Sequence, residues 1–272
     1  ANHPRKPQLP DRVMGARWHQ DGWQVSCLTD GQGSFAPEVF PELSEIECKA
    51  RLAAAGEADI RTEFNAFLIE GDGVLTLVDA GYGALAGAKG GRVWGLLADM
   101  GVAPAQIGRL VFTHLHGDHC GGALGDGGLV FPNAEVVMHP AEAQHWQGSD
   151  TPGGRVLAAL WGRIRLLDDG QEVAPGLTFW HLPGHTPGHS GLRVGNGLVL
   201  VADILHSEAL QLQDPHCCTK YDVDPALARE TRRRAMDEVA QRGLVCAGGH
   251  LLGPDKFARL VAVGQGYAKV AP

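Results

Sequence analysis

Within six residues, His114-Leu-His-Gly-Asp-His119, the chain carries three imidazoles and one carboxylate. A fold that accepts this run must bring metal-binding side chains to a point where they converge. The apolar lead-in Arg109-Leu-Val-Phe-Thr113 reads as a buried strand, and Gly117, Gly121 and Gly122 mark a loop behind it. His114 and His116 stand two apart, so both can face the same side of an extended chain. Asp118 and His119 follow on the turn, where the backbone can aim them at a second point. One run can therefore serve two metals. Neutral imidazole and carboxylate suit zinc and its first-row neighbours. A His-rich surface loop or a set of packed core histidines would explain one such residue better than it explains this cluster at a strand end.

Three distant segments repeat the layout. Leu182-Pro-Gly-His185-Thr-Pro-Gly-His189 is a turn after the apolar stretch Leu177–Leu182. Gly197-Leu-Val-Leu-Val-Ala-Asp203 is an apolar strand ending in a carboxylate, and Gly243-Leu-Val-Cys-Ala-Gly-Gly-His250 is one ending in an imidazole. The C-terminal ends of neighbouring strands in one sheet lie close together, so these ligands can meet.

Taken in order, His114, His116, Asp118, His119, His185, Asp203 and His250 make the chain resemble the metallo-β-lactamase superfamily from about Gln24 onward. Asn65-Ala-Phe-Leu-Ile-Glu and Leu75-Thr-Leu-Val-Asp79-Ala-Gly resemble that superfamily's opening strands. The resemblance implies an α/β fold, an αββα sandwich with a dinuclear metal site at the edge of its two sheets. It implies that the first metal takes His114, His116 and His185, that the second takes Asp118, His119 and His250, and that Asp203 bridges them. True β-lactamases lack that bridging carboxylate, which argues against antibiotic hydrolysis. Acyl-homoserine lactonases carry a Tyr three residues after the bridging Asp; here His206 stands there. The stretches Ala202–Pro215, Tyr221-Asp-Val-Asp-Pro225 and Gly264–Val270 are more similar to the methyl parathion hydrolase-like and lactonase-like branch. Leu251–Phe257 departs from that branch, in a loop that borders the site.

From this resemblance the expected cofactors are two divalent metal ions, zinc first, with manganese, iron or cobalt able to replace it. Two cations about 3.5–4 Å apart can hold a hydroxide, because metal binding lowers the pKa of water from about 15.7 to about 7. The expected reaction is attack of that bridging hydroxide on a carbonyl carbon or phosphorus. Asp118 and Asp203 are the expected catalytic carboxylates, with Asp118 also able to carry a proton to the leaving group. No G-x-S-x-G elbow offers a serine instead. Asp79, at the end of the Leu75–Val78 strand, is a candidate to accept a bond from a ligand imidazole and fix its tautomer, or else to cap a turn. The expected substrate pocket is His206, Trp146, Trp161, Leu210 and Leu251; aromatic walls would suit an apolar acyl or aryl group. His189 reads as a structural hydrogen bonder.

The expected substrates are lactones, carboxylic esters or phosphotriesters. A thioesterase of the glyoxalase II type is the first alternative, but no clear basic patch for a charged thiol carrier follows His250. A di-iron redox protein with the same ligands is the second, though a flavin partner domain has no room here. A net charge of −8 makes nucleic acid an unsuitable partner. The triplet Arg232-Arg-Arg234, beside Glu230, Asp237 and Glu238, reads as a solvated helix face. Six scattered cysteines without a C-x-x-C pair read as free thiols, Cys120 being the one beside the ligands.

At 272 residues and 44% hydrophobic content, the chain suits one hydrolase domain over 21–272 behind an N-terminal arm over 1–20. No apolar run reaches 18 residues and no signal peptide is visible, so the expectation is a cytoplasmic or periplasmic protein without a membrane span. The resemblance also implies a homodimer. Strands are expected near 24–29, 64–70, 74–79, 109–113, 135–138, 177–182, 191–195, 198–203 and 244–247, and helices near 84–100 and 140–147. The clearest helix is 225–242, with Asp224 as cap, Pro225 in its first turn and Gly243 at its end.

Overall fold

The computed structural model describes residues 16–85 and 90–272. Its strands, in chain order, are β1 Arg17–Gln20, β2 Trp23–Phe35, β3 Ile60–Glu70, β4 Leu75–Val78, β5 Ile107–Val111, β6 Leu124–Gly125, β7 Gly128–Leu129, β8 Glu135–Met138, β9 Ile164–Leu166, β10 Glu172–Ala174, β11 Leu177–His181, β12 Ser190–Val194, β13 Leu198–Leu200, β14 Val245–Ala247, β15 Arg259–Val263 and β16 Gly266–Val270. The α-helices are α1 Glu45–Ala54, α2 Val93–Asp99, α3 Gly117–Cys120, α4 Pro140–Trp146, α5 Pro152–Leu160, α6 Glu208–Gln211 and α7 Pro225–Arg242.

Strand β3 shows why the layers stack as they do. Phe67 and Ile69 point into one core, while Ala66 and Leu68 point into another. Side chains alternate along a strand, so a strand apolar on both faces must be covered on both. The first core lies between two sheets. One sheet has seven strands in the order β1-β2-β3-β4-β5-β8-β9, and the other has five in the order β10-β11-β12-β13-β14. Phe67, Val78 and Val111 from the first meet Phe179, Leu192, Leu198 and Val245 from the second. Outside the first sheet, Leu68, Leu77 and Leu110 pack under α2 and α5. Outside the second, Val199, Val201 and Cys246 pack under Ala235, Met236 and Val239 of α7. The result is the expected αββα sandwich.

Pairing direction decides where the ligands emerge. Strands β4, β5 and β8 run parallel, as do β13 and β14. Parallel strands end on one side, so Asp79, the 113–119 run, Asp203 and His250 leave the sheets along a common edge.

The long helix forms as its sequence dictates. The Asp224 side chain accepts the Leu227 N–H, Pro225 opens the first turn, and Gly243 closes the helix in the left-handed region at φ 60°. Other expectations need correction. Strand β2 extends beyond 24–29 to Phe35 through a register shift between Thr29 and Gly31. The helix expected over 84–100 is α2, starting at Val93, with residues 86–89 outside those described. The arm expected over 1–20 falls mostly outside the described residues, and its last four residues form β1, antiparallel to β2. Helix α1 was not anticipated, although its capping box, Ser44 with Glu47, is a readable signal. Nor was the β15–β16 hairpin.

Candidate dinuclear metal centre

Two sets of ligand-type atoms converge at the sandwich edge. His114, His116 and His185 form one, and Asp118, His119, Asp203 and His250 form the other, each within 4.8 Å throughout. Between them lies Asp203 Oδ2, 3.0 Å from His119 Nε2, 2.9 Å from His250 Nε2, 3.6 Å from His185 Nε2 and 3.7 Å from His114 Nε2. His116 Nδ1 lies 3.0 Å from His185 Nε2, and Asp118 Oδ2 lies 3.3 Å from His119 Nε2. A third set, His185, Asp203 and His206, shares two of these members.

The remote nitrogens fix which way the lone pairs point. His250 Nδ1 donates to the Glu63 carbonyl at 2.9 Å, and His185 Nδ1 donates to Asp222 Oδ1 at 2.8 Å. His119 Nδ1 donates to Asp79 Oδ2 at 2.7 Å. The Thr113 hydroxyl donates its only proton to the same Asp79 oxygen at 2.7 Å, so at 3.0 Å it accepts from His114 Nδ1. In all four rings Nδ1 is the committed donor and Nε2 is the atom turned to the centre, so an Nε2 free of its proton is the tautomer that binds metal.

The centre is incomplete without a cation. His114 Nε2 and Asp203 Oδ1 are buried and have no hydrogen-bond partner. Buried polar atoms are nearly always paired, so orphans at the focus of seven ligand-type side chains fit a positively charged guest. Electrostatics agree. Burial, reinforced by the neighbouring His119 charge, pushes the His114 imidazole well below its usual pKa, and burial with His185 takes His116 down to about 3. Burial also opposes a charged His119, but Asp203, Asp118 and Asp79 outweigh it and raise that imidazole. Burial would raise the Asp203 carboxyl, yet His119 and His250 hold it well below the carboxylate range. The donor set suits divalent metal.

Local backbone geometry serves the same focus. Asp79 and Ala202 occupy the left-handed region at φ 61° and 50°, a conformation that costs about 1–3 kcal/mol and collects at functional sites. A Cβ at Gly249 would stand 2.1 Å from Asp203 Oδ1, so only glycine lets the His250 loop close on that carboxylate. Asn65 anchors the loop through its side-chain amide, which donates to the Gly248 and Leu251 carbonyls at 3.0 and 2.9 Å. His189 Nδ1 donates to the Leu182 carbonyl and Nε2 accepts the Asp203 N–H at 2.9 Å, so His189 supports the backbone of the centre.

A cavity of about 260 Å³ opens onto the ligands, lined by Phe35, Phe64, Tyr82, Tyr221 and His206 above His116, Asp118, His185, Asp203 and His250. His206 lines this cavity, with Nε2 3.6 Å from Asp203 Oδ2. The other expected wall residues are elsewhere. Trp161 is 54% exposed, because α5 spends Val156, Leu157 and Leu160 on the core and the next residue rotates toward solvent. Leu210 is buried with Phe40, Cys48 and Leu52, and Leu251 turns into the core beneath α7. Trp146 stays outside the cavity and sets its ring against the edge of His116, centroids 5.5 Å apart. Cys120 places its thiol 3.5 Å from the Leu115 carbonyl and has no place in either ligand set. Arg232 is not on a solvated face: it is 1% exposed and donates to the carbonyls of Ile204, Pro215 and Cys217.

Asp222, Glu142 and the four aromatic wall residues escaped the sequence reading. Asp222 and Tyr221 lie in the Tyr221–Pro225 stretch, whose similarity to relatives was visible without a role attached. The Glu142–Trp146 spacing of four is the one local sign that Glu142 shares a face with an aromatic.

A family model described as the metallo-beta-lactamase superfamily matches residues 64–250, which takes in all seven ligand-type residues. The chain belongs to the metallo-beta-lactamase superfamily. Within it, an N-acyl homoserine lactonase of Bacillus sp is 31% identical over 104 residues, 38% of this chain and 39% of that one. An N-acyl homoserine lactonase of Bacillus thuringiensis is 25% identical over 177 residues, 62% of this chain and 66% of its own length. The chain thus spans from about two fifths to just under two thirds of these relatives. Among solved structures, hydrolase AbOPH of the beta lactamase superfamily matches with a TM-score of 0.87 and 25% identity, covering 97% of this chain and 99% of that one. AidC, a dizinc quorum-quenching lactonase in complex with a product, shares the fold with a TM-score of 0.88 at 22% identity, covering 96% and 99%. No helix among the described residues is long and apolar enough to cross a membrane.

Proposed function

We propose that this chain is a dinuclear metallohydrolase whose first substrates are lactones, with carboxylic esters and phosphotriesters as further substrates of the same centre. The observation that carries this reading is Asp203 Oδ2, standing within 3.7 Å of His114, His119, His185 and His250 Nε2 alike. In this reading His114, His116 and His185 would hold one ion and Asp118, His119 and His250 the other, with Asp203 available to both. Two ions so held would supply Lewis-acid polarisation of the scissile group and activation of water. The chain's own residues do the rest. Asp79, Thr113, Asp222 and the Glu63 carbonyl keep the imidazoles in the ligating tautomer. Asp118 is 17% exposed on the cavity side, which suits a carboxylate that passes a proton to the leaving alkoxide.

The cavity supports an uncharged substrate. Its walls are aromatic and imidazole, and its carboxylates are the ligands themselves; among the described residues no Lys or Arg lines it. Beyond the ions themselves, a phosphomonoester or a carboxylate-bearing thiol carrier would find no cationic side chain there among the described residues, which sets the glyoxalase II reading below the lactonase one. At about 260 Å³ the cavity lies at the small end for ligand sites, favouring a lactone ring or a compact ester. The lactonase relatives and the dizinc lactonase neighbour point the same way.

Initial rates of the metal-loaded protein on an acyl-homoserine lactone, an aliphatic lactone, an aryl ester, an aryl phosphotriester, a glutathione thioester and a β-lactam test the reading. Preference for one of the first four, lost in Asp203→Asn, is the expected result. Preference for the thioester or the β-lactam would overturn it.

A further inference from the structure

The His114–His116 pair and His185 come from different sheets. The pair follows β5 of the first, while His185 sits in the loop between β11 and β12 of the second. Something must set the distance between those loops. One main-chain bond joins them at the strand ends, Ser190 N–H to the Thr113 carbonyl at 2.9 Å, behind the ligands. Ahead of it lies Glu142, fully buried on α4.

Both Glu142 oxygens are occupied twice. Oε1 accepts the Leu115 N–H at 2.9 Å, between the two histidines, and the Trp146 Nε1–H at 2.6 Å. Oε2 accepts the Thr186 hydroxyl at 2.6 Å, beside His185, and the Gly188 N–H at 3.1 Å. A carboxylate offers about four acceptor sites, so nothing remains for a metal. Among the described residues no Lys or Arg pairs with it, and the four donors alone offset its burial. The packing is as tight as the bonding. A Cβ at Gly188 would fall 2.2 Å from the Glu142 nitrogen, and one at Gly153 would fall 2.4 Å from the Leu115 carbonyl oxygen. Through Trp146 the same carboxylate also steadies the ring that stands against His116.

We propose that Glu142 is the positioning residue of the three-histidine site, clamping the loop of His114 and His116 to the loop of His185 and so setting that site's metal affinity. The proposal rests on the dinuclear reading above. It predicts selectivity: Asp118, His119 and His250 receive no bond from Glu142, so their site is spared.

The test is metal affinity in chelator competition, with zinc as the probe and cobalt absorption to distinguish the sites. Wild type is expected to bind two equivalents. Glu142→Gln puts an amide N–H against backbone donors that cannot reverse, and it should weaken one equivalent by about tenfold to a hundredfold. The cobalt spectrum of the three-histidine site should change with it. Thr186→Val removes one donor of the four at nearly constant volume. It should weaken the same equivalent by a smaller factor, and it decides the matter alone if the Glu142 variant does not fold. Unchanged affinities overturn the proposal. So does an equal loss at both sites that tracks a fall in melting temperature of the metal-free protein, since that is what a merely structural role would give. If wild type itself binds fewer than two equivalents, the dinuclear reading falls and takes the clamp with it.

Discussion

Arg232 and Asp222 face each other in the interior, Nη2 to Oδ2 3.6 Å apart, with the two side chains 1% and 0% exposed. The contact reaches the metal centre in one more step, because Asp222 Oδ1 accepts the His185 Nδ1–H at 2.8 Å. Burial would raise the Asp222 carboxyl, but the bond from His185, with the Arg232 charge behind it, keeps it well below the carboxylate range.

Removing the guanidinium leaves that carboxylate the bonds from His185 and the Thr219 N–H but no buried cation. Arg232→Met keeps the volume but leaves Asp222 without its cation and the Ile204 and Pro215 carbonyls without their donor, while the Cys217 carbonyl keeps the Gln211 amide. Breaking a buried pair from one side costs about 3–5 kcal/mol, so the melting temperature should fall by about 10 °C. Thermal melts of the metal-free protein check this. A fall of less than about 2 °C would mean that water or His185 replaces the arginine at no cost.

The two sheets were legible because their strands are short apolar runs bounded by glycine, and the helix at 225–242 because its cap, proline and closing glycine are local. The ligand run was legible for the same reason, since four ligand-type groups lie within six residues. Contacts made across the fold were not. Nothing near Arg232 in sequence says that its turn of the helix faces the core, and a triplet of arginines favours the opposite reading. Leu210 and Leu251 follow ligands closely, yet nearness along the chain does not set the direction of a side chain. Phe35, Phe64, Tyr82 and Tyr221 come from four separate segments, so no window of sequence contains the cavity they build.

Asp203 bears the heaviest demand at the centre. Asp203→Asn keeps shape and removes the negative charge that four Nε2 atoms share. Bound metal should fall below two equivalents, and turnover should drop by on the order of a hundredfold or more. Metal analysis and initial rates on the preferred substrate measure both. Near wild-type turnover with full metal content would remove Asp203 from the bridging position.

Glu238 on α7 gives a pH dependence whose sign can be worked out. It accepts from Arg193 of β12 at 2.7 and 3.1 Å and from Arg242 at 2.6 Å, and the Arg193 bonds lead in lowering its pKa. A carboxyl lower in the folded state than in the unfolded one, about 4.3, stabilises above that value, and the benefit is lost as pH falls through the folded pKa. The pair is partly exposed, so the contribution is modest, about 0.5–1 kcal/mol. Glu238→Gln should therefore melt about 2–4 °C below wild type at pH 7, and the gap should close below about pH 4. A gap that persists unchanged at pH 3 would assign the effect to packing.

The cavity makes a paired prediction about substrate fit. Tyr221 lines it while remaining 41% exposed, so truncation disturbs the wall and leaves the core intact. Its ring stands 6.2 Å from Phe35 and 6.4 Å from His206, centroid to centroid, as part of the cavity wall. An aromatic contact of this size is worth about 1–2 kcal/mol. Tyr221→Ala should then lower kcat/KM for lactones with an apolar substituent by about five- to thirtyfold, chiefly through KM. A lactone without the substituent should feel the change less. Trp161→Ala is the control: that ring is 54% exposed and does not line the cavity, so both constants should stay within twofold or so of wild type. If Trp161→Ala raises KM and Tyr221→Ala does not, the substrate approaches along α5 and the cavity described here is not its binding site.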